Sequence, residues 1–268
     1  SSLLVADRNM LTKRFQLDIR TDHEVMGLNH KDKTISVLHQ GKRSEIEYDE
    51  LVLAPGAKAF MPETKGMAYH KNIHTVRNIP DVDAITAIDN PKTALVIGAG
   101  FIGLETAESL KNKGLEVTLV EKAPAVLAPF DSEMSIAAHN ELVNNGIDVR
   151  VGTSVVAFNE KTAVLEDGSI VECDLVIMSV GVSPATDFLK DSGIDLGMRG
   201  GILVDESYKT NLDHVWAVGD AIIVKNQINN EPALISLASP ANRQGRQLAD
   251  IMTGLPNSNK GSIGTAVV

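Results

Sequence analysis

Thr93-Ala94-Leu95-Val96-Ile97-Gly98-Ala99-Gly100-Phe101-Ile102-Gly103-Leu104-Glu105 is the stretch on which the fold turns. Lys92 to Gly98 reads as a strand whose apolar run, Ala94, Leu95, Val96 and Ile97, does not alternate, as expected of a parallel strand covered on both faces. Three glycines then follow at the spacing G-x-G-x-x-G. Gly98 permits a tight strand-to-helix turn, Gly100 lets backbone approach a pyrophosphate, and Gly103 brings helix against strand. The helix that opens here is expected from about Phe101 to Lys113, burying Leu104, Ala107 and Leu110 and stopping at Gly114, a favoured left-handed cap. Its first amides and its dipole suit an anion. Leu115 to Glu121 reads as a second parallel strand that ends on a carboxylate 18 residues past Gly103. Strand, glycine turn, helix and acidic strand end together describe a Rossmann-type dinucleotide unit. Glu121 in that place accepts ribose hydroxyls and repels a 2′-phosphate, which favours NAD over NADP. Lys122, next in the chain, pulls the other way.

Downstream, Asp131-Ser132-Glu133 supplies acceptors for the start of a helix carrying Met134, Ala138 and Leu142 on one face before Gly146. Ile147 to Val151 is a third short strand. Asp167-Gly168, between Thr162–Glu166 and Ser169–Cys173, is a hairpin signal of type I′, in which both central residues take positive φ. Leu175 to Val180 returns to a buried strand closed by Gly181-Val182-Ser183-Pro184. Val215 to Val218 is another, ending in Gly219-Asp220, and Ser239-Pro240 opens a last helix to about Met252.

Upstream, His23 to Leu28, Thr34 to Gln40 and Arg43 to Glu47 form an antiparallel meander. Glu50 to Gly56 is an apolar strand stopped by Pro55 and Gly56. Asp89-Asn90-Pro91 punctuates the chain, and a domain boundary is expected there. The fold class is therefore α/β: a Rossmann-like domain with a parallel sheet over 91–210, accompanied by the antiparallel meander, and inserted into a second domain made of 1–90 and 211–268.

The bulk properties narrow the function. With 268 residues, 43% hydrophobic and 22% charged, the chain is long enough for one large or two ordinary domains. A formal charge of -10 gives no general attraction to nucleic acid or anionic membranes. There is no apolar run near the roughly 20 residues that span a bilayer and no charged-apolar-small opening segment, so a cytoplasmic protein is expected. The single cysteine, Cys173, excludes an intrachain disulfide framework and an internal redox pair. It falls in a hairpin strand and reads as an inert buried thiol. His70 and His74 lack the Glu of H-E-x-x-H, so no metal site is expected. Arg243, Gln244, Arg246 and Gln247 read as a solvated or ion-paired helix face, and Trp216 as a core residue.

Across essentially its whole length the sequence resembles the pyridine nucleotide-disulfide oxidoreductases, flavoproteins with two dinucleotide sites. Leu51-Val52-Leu53-Ala54-Pro55-Gly56-Ala57 is similar to the family's strand-end segment between its domains, with Pro55 where many members have Thr. By this resemblance Gly98 to Gly103 is the NAD(P)H fingerprint, with Phe101 near the nicotinamide and flavin, Ile102 beside it, and Glu105 at the nicotinamide end. Gly181 belongs to a Gly-x-x-Pro turn beside the nicotinamide. Gly219-Asp220-Ala221 is similar to the FAD motif whose Asp accepts a ribitol hydroxyl. Leu237, Ala238 and Ser239 would lie at the helix end facing the flavin pyrimidine edge. Ser236 to Arg246 and Phe130 to Met134 look most like the branch holding coenzyme A-disulfide reductase, NADH oxidase and NADH peroxidase.

The resemblance implies bound FAD and NAD(P)H, a small thiol or disulfide substrate related to coenzyme A, and a homodimeric parent. The family's N-terminal FAD half-site, its redox-active cysteine and its C-terminal dimerisation domain have no counterpart here, so no catalytic residue is assigned. Ser1 without an initiating Met, and an apolar stop at Thr265-Ala266-Val267-Val268, point to a piece of a longer polypeptide. An oxidase or peroxidase reducing oxygen or peroxide, and a non-catalytic dinucleotide-binding module, stay open beside the disulfide reductase.

Overall fold

The structure, a computed structural model, describes residues 7–265. The stretches Ser1 to Val5 and Ala266 to Val268, which suggested a cut chain, lie outside the described residues. One compact unit is made of residues up to Gly56 together with Pro184–Gly264, and the other of Ala57–Ser183. One unit is thus inserted in the other, as expected, but the joins fall at 56/57 and 183/184 instead of 90/91 and 210/211. Pro91 marks a turn inside a unit. The physical reason is pairing at long range: Ile73–His74 forms an edge strand on Leu175–Met178, about a hundred residues away, and Val76, Ile85 and Ile88 pack on the same core. Leu189, Ile194 and Ile202 are instead buried in the core of the first unit.

The inserted unit is built on a five-stranded sheet in the order Ile73–His74, Leu175–Met178, Thr93–Ile97, Glu116–Glu121, Asp148–Val151, every neighbouring pair parallel. The non-alternating sequence of Thr93–Ile97 is explained by its two coats. Ala94 and Val96 join a core with Leu104, Ala107 and Leu110 of the helix Phe101–Asn112. Leu95 points into a second core with Phe158, Ala163, Leu165 and Val171. Those four come from the antiparallel sheet Val155–Phe158, Thr162–Leu165, Ile170–Glu172. Both faces of the parallel sheet are therefore dry.

Three local expectations are corrected. On the helix Ser132–Asn144 the buried positions are Ser135 and Leu142, with Ala138 half-buried, while Met134 is 61% exposed. Helical spacing admits either register, and contact with the sheet selects one. Asp131 occupies the cap position of that helix without a side-chain cap bond. In the hairpin only Gly168 takes a left-handed φ, at 83°. Gly168 N–H donates to the Leu165 carbonyl and Leu165 N–H to Ser169, a three-residue loop with glycine in the left-handed place instead of a two-residue type I′ turn.

The other unit carries the antiparallel sheet Glu24–Asn29, Thr34–His39, Lys42–Glu47 and a parallel pair, Leu51–Leu53 with Val215–Ala217. Its core gathers Leu53, Ile202, Tyr208, Trp216, Ala217 and Leu248. Trp216 is buried, and its indole N–H donates to Glu50 Oε2 at 2.8 Å. No helix among the described residues is long and apolar enough to cross a membrane.

Candidate dinucleotide site

The three fingerprint glycines are required for three different reasons. At Gly98, φ is 100° and a Cβ would stand 2.6 Å from the Ser179 carbonyl oxygen, so neither the conformation nor the space admits a side chain. A Cβ on Gly103 would overlap the Gly98 carbonyl, because helix and strand touch there. Gly100 is the N-cap of Phe101–Asn112, with φ -80° and ψ -174°, and a Cβ on it would meet nothing within 4 Å. It borders open space, where backbone can approach a ligand. No side chain caps this helix and no acidic residue lies in its first turn, so the partial positive charge of its first amides faces that space.

The space is a cavity of about 760 Å³ lined by Gly98, Gly100, Phe101, Ile102, Glu121, Lys122 and Gly181 among others. Seven of the residues singled out in the sequence are thus brought together. Phe101 packs edge-on against Phe130, ring centroids 5.8 Å apart. Glu105 is not brought in: it lies on the exposed side of its helix and does not line the cavity. Gly103 acts from behind, by close packing.

Glu121 does more than sequence indicated. Its Oε2 accepts from the Ala99 amide and its Oε1 from the Ala123 amide, both at 2.7 Å. The carboxylate thereby joins the glycine turn to the loop after its own strand. Each oxygen keeps a lone pair for a further donor. Ser179 braces the turn from the other side, its hydroxyl lying 2.9 Å from the Ile97 carbonyl and 3.0 Å from that of Gly98. Thr153 lines the cavity with a buried hydroxyl that has no hydrogen-bond partner among the described residues. No motif marks Ser179 or Thr153. A positional signal exists: both lie just past the carboxyl ends of parallel strands, where ligands bind in open α/β sheets.

Elsewhere in that unit, Cys173 is fully buried and its thiol is pushed up to about 12 by burial, with Asp174 adding to the effect. His70 Nε2 donates to the Cys173 carbonyl at 2.8 Å while its Nδ1 accepts from the Asn72 amide. Both its ring nitrogens are thus engaged in structure.

In the unit carrying Gly219, that residue turns the chain at φ 87° after Val215–Ala217. Its amide donates to Gln244 Oε1 at 2.7 Å. Gln244 is buried, and Gln247 accepts from the Tyr208 hydroxyl at 2.6 Å, so the expected solvated face of the helix Ala238–Met252 is corrected at these two glutamines. The partly buried Gly219 amide and the buried Tyr208 hydroxyl each need an acceptor, and the two glutamines supply them. Arg243 and Arg246 do face solvent. Leu237 is the N-cap, again without a side-chain cap bond, and Ala238 and Ser239 are exposed in the first turn; Asp220 follows Gly219 in the adjoining loop.

With this geometry in place, comparison with known proteins decides the kinship. The family described as pyridine nucleotide-disulphide oxidoreductase matches residues 6–245. The chain belongs to that family. Its members are oxidoreductases that use NAD(P)H and FAD. Among curated relatives, the coenzyme A disulfide reductase of Staphylococcus haemolyticus is 32% identical over 267 residues, covering 97% of this chain and 60% of the relative. The chain thus spans less than two thirds of the relatives it matches. Among solved structures, reduced Bacillus anthracis CoADR-RHD superposes with a TM-score of 0.96 at 41% identity, covering 100% of this chain and 49% of that one. A NAD-dependent persulfide reductase from A. fulgidus gives 0.93 at 29% identity, over 98% and 50%.

Proposed function

We propose that this chain is the NAD(P)H-binding portion of a flavoprotein disulfide reductase whose acceptor is coenzyme A disulfide or a related persulfide. The observation that carries the nucleotide half is the cavity at the carboxyl ends of the parallel strands, floored by Gly100 and an uncapped helix end. When bound there, the nicotinamide supplies a hydride. The chain's residues do the rest by placement: helix amides hold the pyrophosphate, Glu121 and Lys122 lie at the adenosine end, and Phe101, Ile102 and Gly181 line the nicotinamide end. In the same reading Gly219 and Asp220 receive the flavin ribitol, and the helix end at Leu237, Ala238 and Ser239 faces its pyrimidine edge. Glu105 would reach a nicotinamide only from outside the cavity wall.

Support for the acceptor comes from the relatives named as coenzyme A disulfide reductases and from the persulfide reductase. Two measurements test the reading. Calorimetric titration of this chain with NADH and NADPH should show binding of at least one, and absence of both overturns the nucleotide half. The full-length parent, given NADH or NADPH and coenzyme A disulfide, should release thiol. Consumption of oxygen or peroxide without thiol release overturns the acceptor, and a parent isolated without flavin overturns the enzyme reading.

A further inference from the structure

The strand Asp148–Val151 ends at Gly152, whose φ of 71° turns the chain. Gly152 N–H donates to the Ala123 carbonyl at 2.8 Å and Thr153 N–H to the Glu121 carbonyl at 3.2 Å. Thr153 is therefore pinned beside the strand end that carries Glu121, and it lines the same cavity. Its hydroxyl is shielded from solvent yet has no partner among the described residues. Other threonine hydroxyls of the chain find backbone acceptors: Thr106 on Ile102, Thr186 on Gly200, Thr210 on Val215. The neighbouring Ser154 hydroxyl is held by Glu166 at 3.0 Å. Among the described residues Thr153 is the one threonine whose solvent-shielded hydroxyl has no partner, and it borders a cavity.

An unmade hydrogen bond in a shielded place opposes folding. A single χ1 step exchanges the hydroxyl and methyl of a threonine. The Thr153 oxygen can therefore turn to a ligand without breaking any hydrogen bond within the protein. We infer that Thr153 is a binding residue that hydrogen-bonds the adenosine half of the dinucleotide, beside Glu121. The inference rests on the dinucleotide reading above and adds to it a contact that no motif marks.

The test is calorimetric titration with ADP-ribose of the whole chain as wild type, Thr153→Val and Thr153→Ser, with thermal melting of each unliganded protein. Valine keeps the shape and removes the hydroxyl; serine keeps the hydroxyl. The expected result is an affinity loss of about five- to tenfold for Thr153→Val, the scale of one hydrogen bond. Its unliganded melting temperature should hold or rise, because an unpartnered polar group is gone. Thr153→Ser should bind within about twofold of wild type. Wild-type affinity in Thr153→Val overturns the inference, and so does a loss of affinity that runs parallel to a loss of melting temperature, which is the mark of packing. Should Thr153→Val not fold, Thr153→Ala is read by the same criteria. Failure of the wild type to bind ADP-ribose overturns the dinucleotide reading itself, and this contact with it.

Discussion

Glu121 Oε2 accepts the Ala99 amide at 2.7 Å, so the carboxylate that ends one parallel strand holds the glycine turn that ends its neighbour. The same group accepts Ala123 N–H through its other oxygen. Glu121→Gln replaces one acceptor oxygen with an NH₂ that confronts an amide N–H. The expected loss is about 1–3 kcal/mol of stability, the range for hydrogen bonds to a charged group and for an amide left unpaired. Chemical denaturation checks this. NADH affinity should fall in the same variant, and an unchanged denaturation midpoint would show that the clip carries no energy.

The fingerprint glycines should separate into two phenotypes. Gly100→Val projects into open space and should leave melting near wild type while abolishing NADH binding by calorimetry. Gly98→Ala places a side chain at φ 100° with the Ser179 carbonyl 2.6 Å away, and should cost more than about 2 kcal/mol of stability. A Gly98→Ala protein as stable as wild type would contradict the packing described.

Cys173 should resist alkylation in the native state. Burial lifts its thiol from 9.0 to about 12, so the folded protein holds the neutral form where an unfolded chain would ionise. Its contribution to stability is complete below the ordinary thiol value of 9.0 and is lost as pH rises from there toward 12. Iodoacetamide labelling followed by mass spectrometry, with and without denaturant, checks this. Rapid native labelling at pH 8 would refute it.

Acid should weaken the unit that contains His74. Burial lowers this imidazole below 6.5, Asp81 opposes that, and His70 reinforces it. The unfolded chain therefore takes up the proton first, and the stability present above the ordinary value of 6.5 is lost as pH falls through the folded value. Urea midpoints at pH 7.5 and 5.5 should differ, and His74→Gln should reduce the difference. An identical difference in the variant would assign the acid sensitivity elsewhere.

Gln244 should be structural. Its side chain satisfies the Gly219 amide at 2.7 Å inside a buried setting. Gln244→Leu keeps the volume and orphans that amide, for an expected loss of about 1–3 kcal/mol. Arg243→Gln, one residue away and exposed, should change the denaturation midpoint little.

Local chemistry was enough to read the centre of this protein from its sequence. The apolar run of Thr93–Ile97, three glycines at fixed spacing and a carboxylate closing Glu116–Glu121 each state a short-range requirement: covered faces, a forbidden Cβ, a strand that ends. Hence the parallel sheet, the helix Phe101–Asn112 and the clustering of Gly98, Gly100, Phe101, Ile102, Glu121, Lys122 and Gly181 around one cavity were legible. Tertiary structure decided whatever depends on partners far along the chain. Ile73–His74 is too short to declare itself and becomes a strand only beside Leu175–Met178, which moves a boundary from 90/91 to 56/57. Met134 and Ser135 fit a helix equally well, and only the sheet beneath selects Ser135. Gln244 looks solvated until Gly219 is placed against it, and Thr153 is an ordinary polar residue until the cavity shows its hydroxyl without a partner. A sequence spells out what a residue demands of its neighbours, whereas burial and hydrogen-bond partners are properties of the assembled fold.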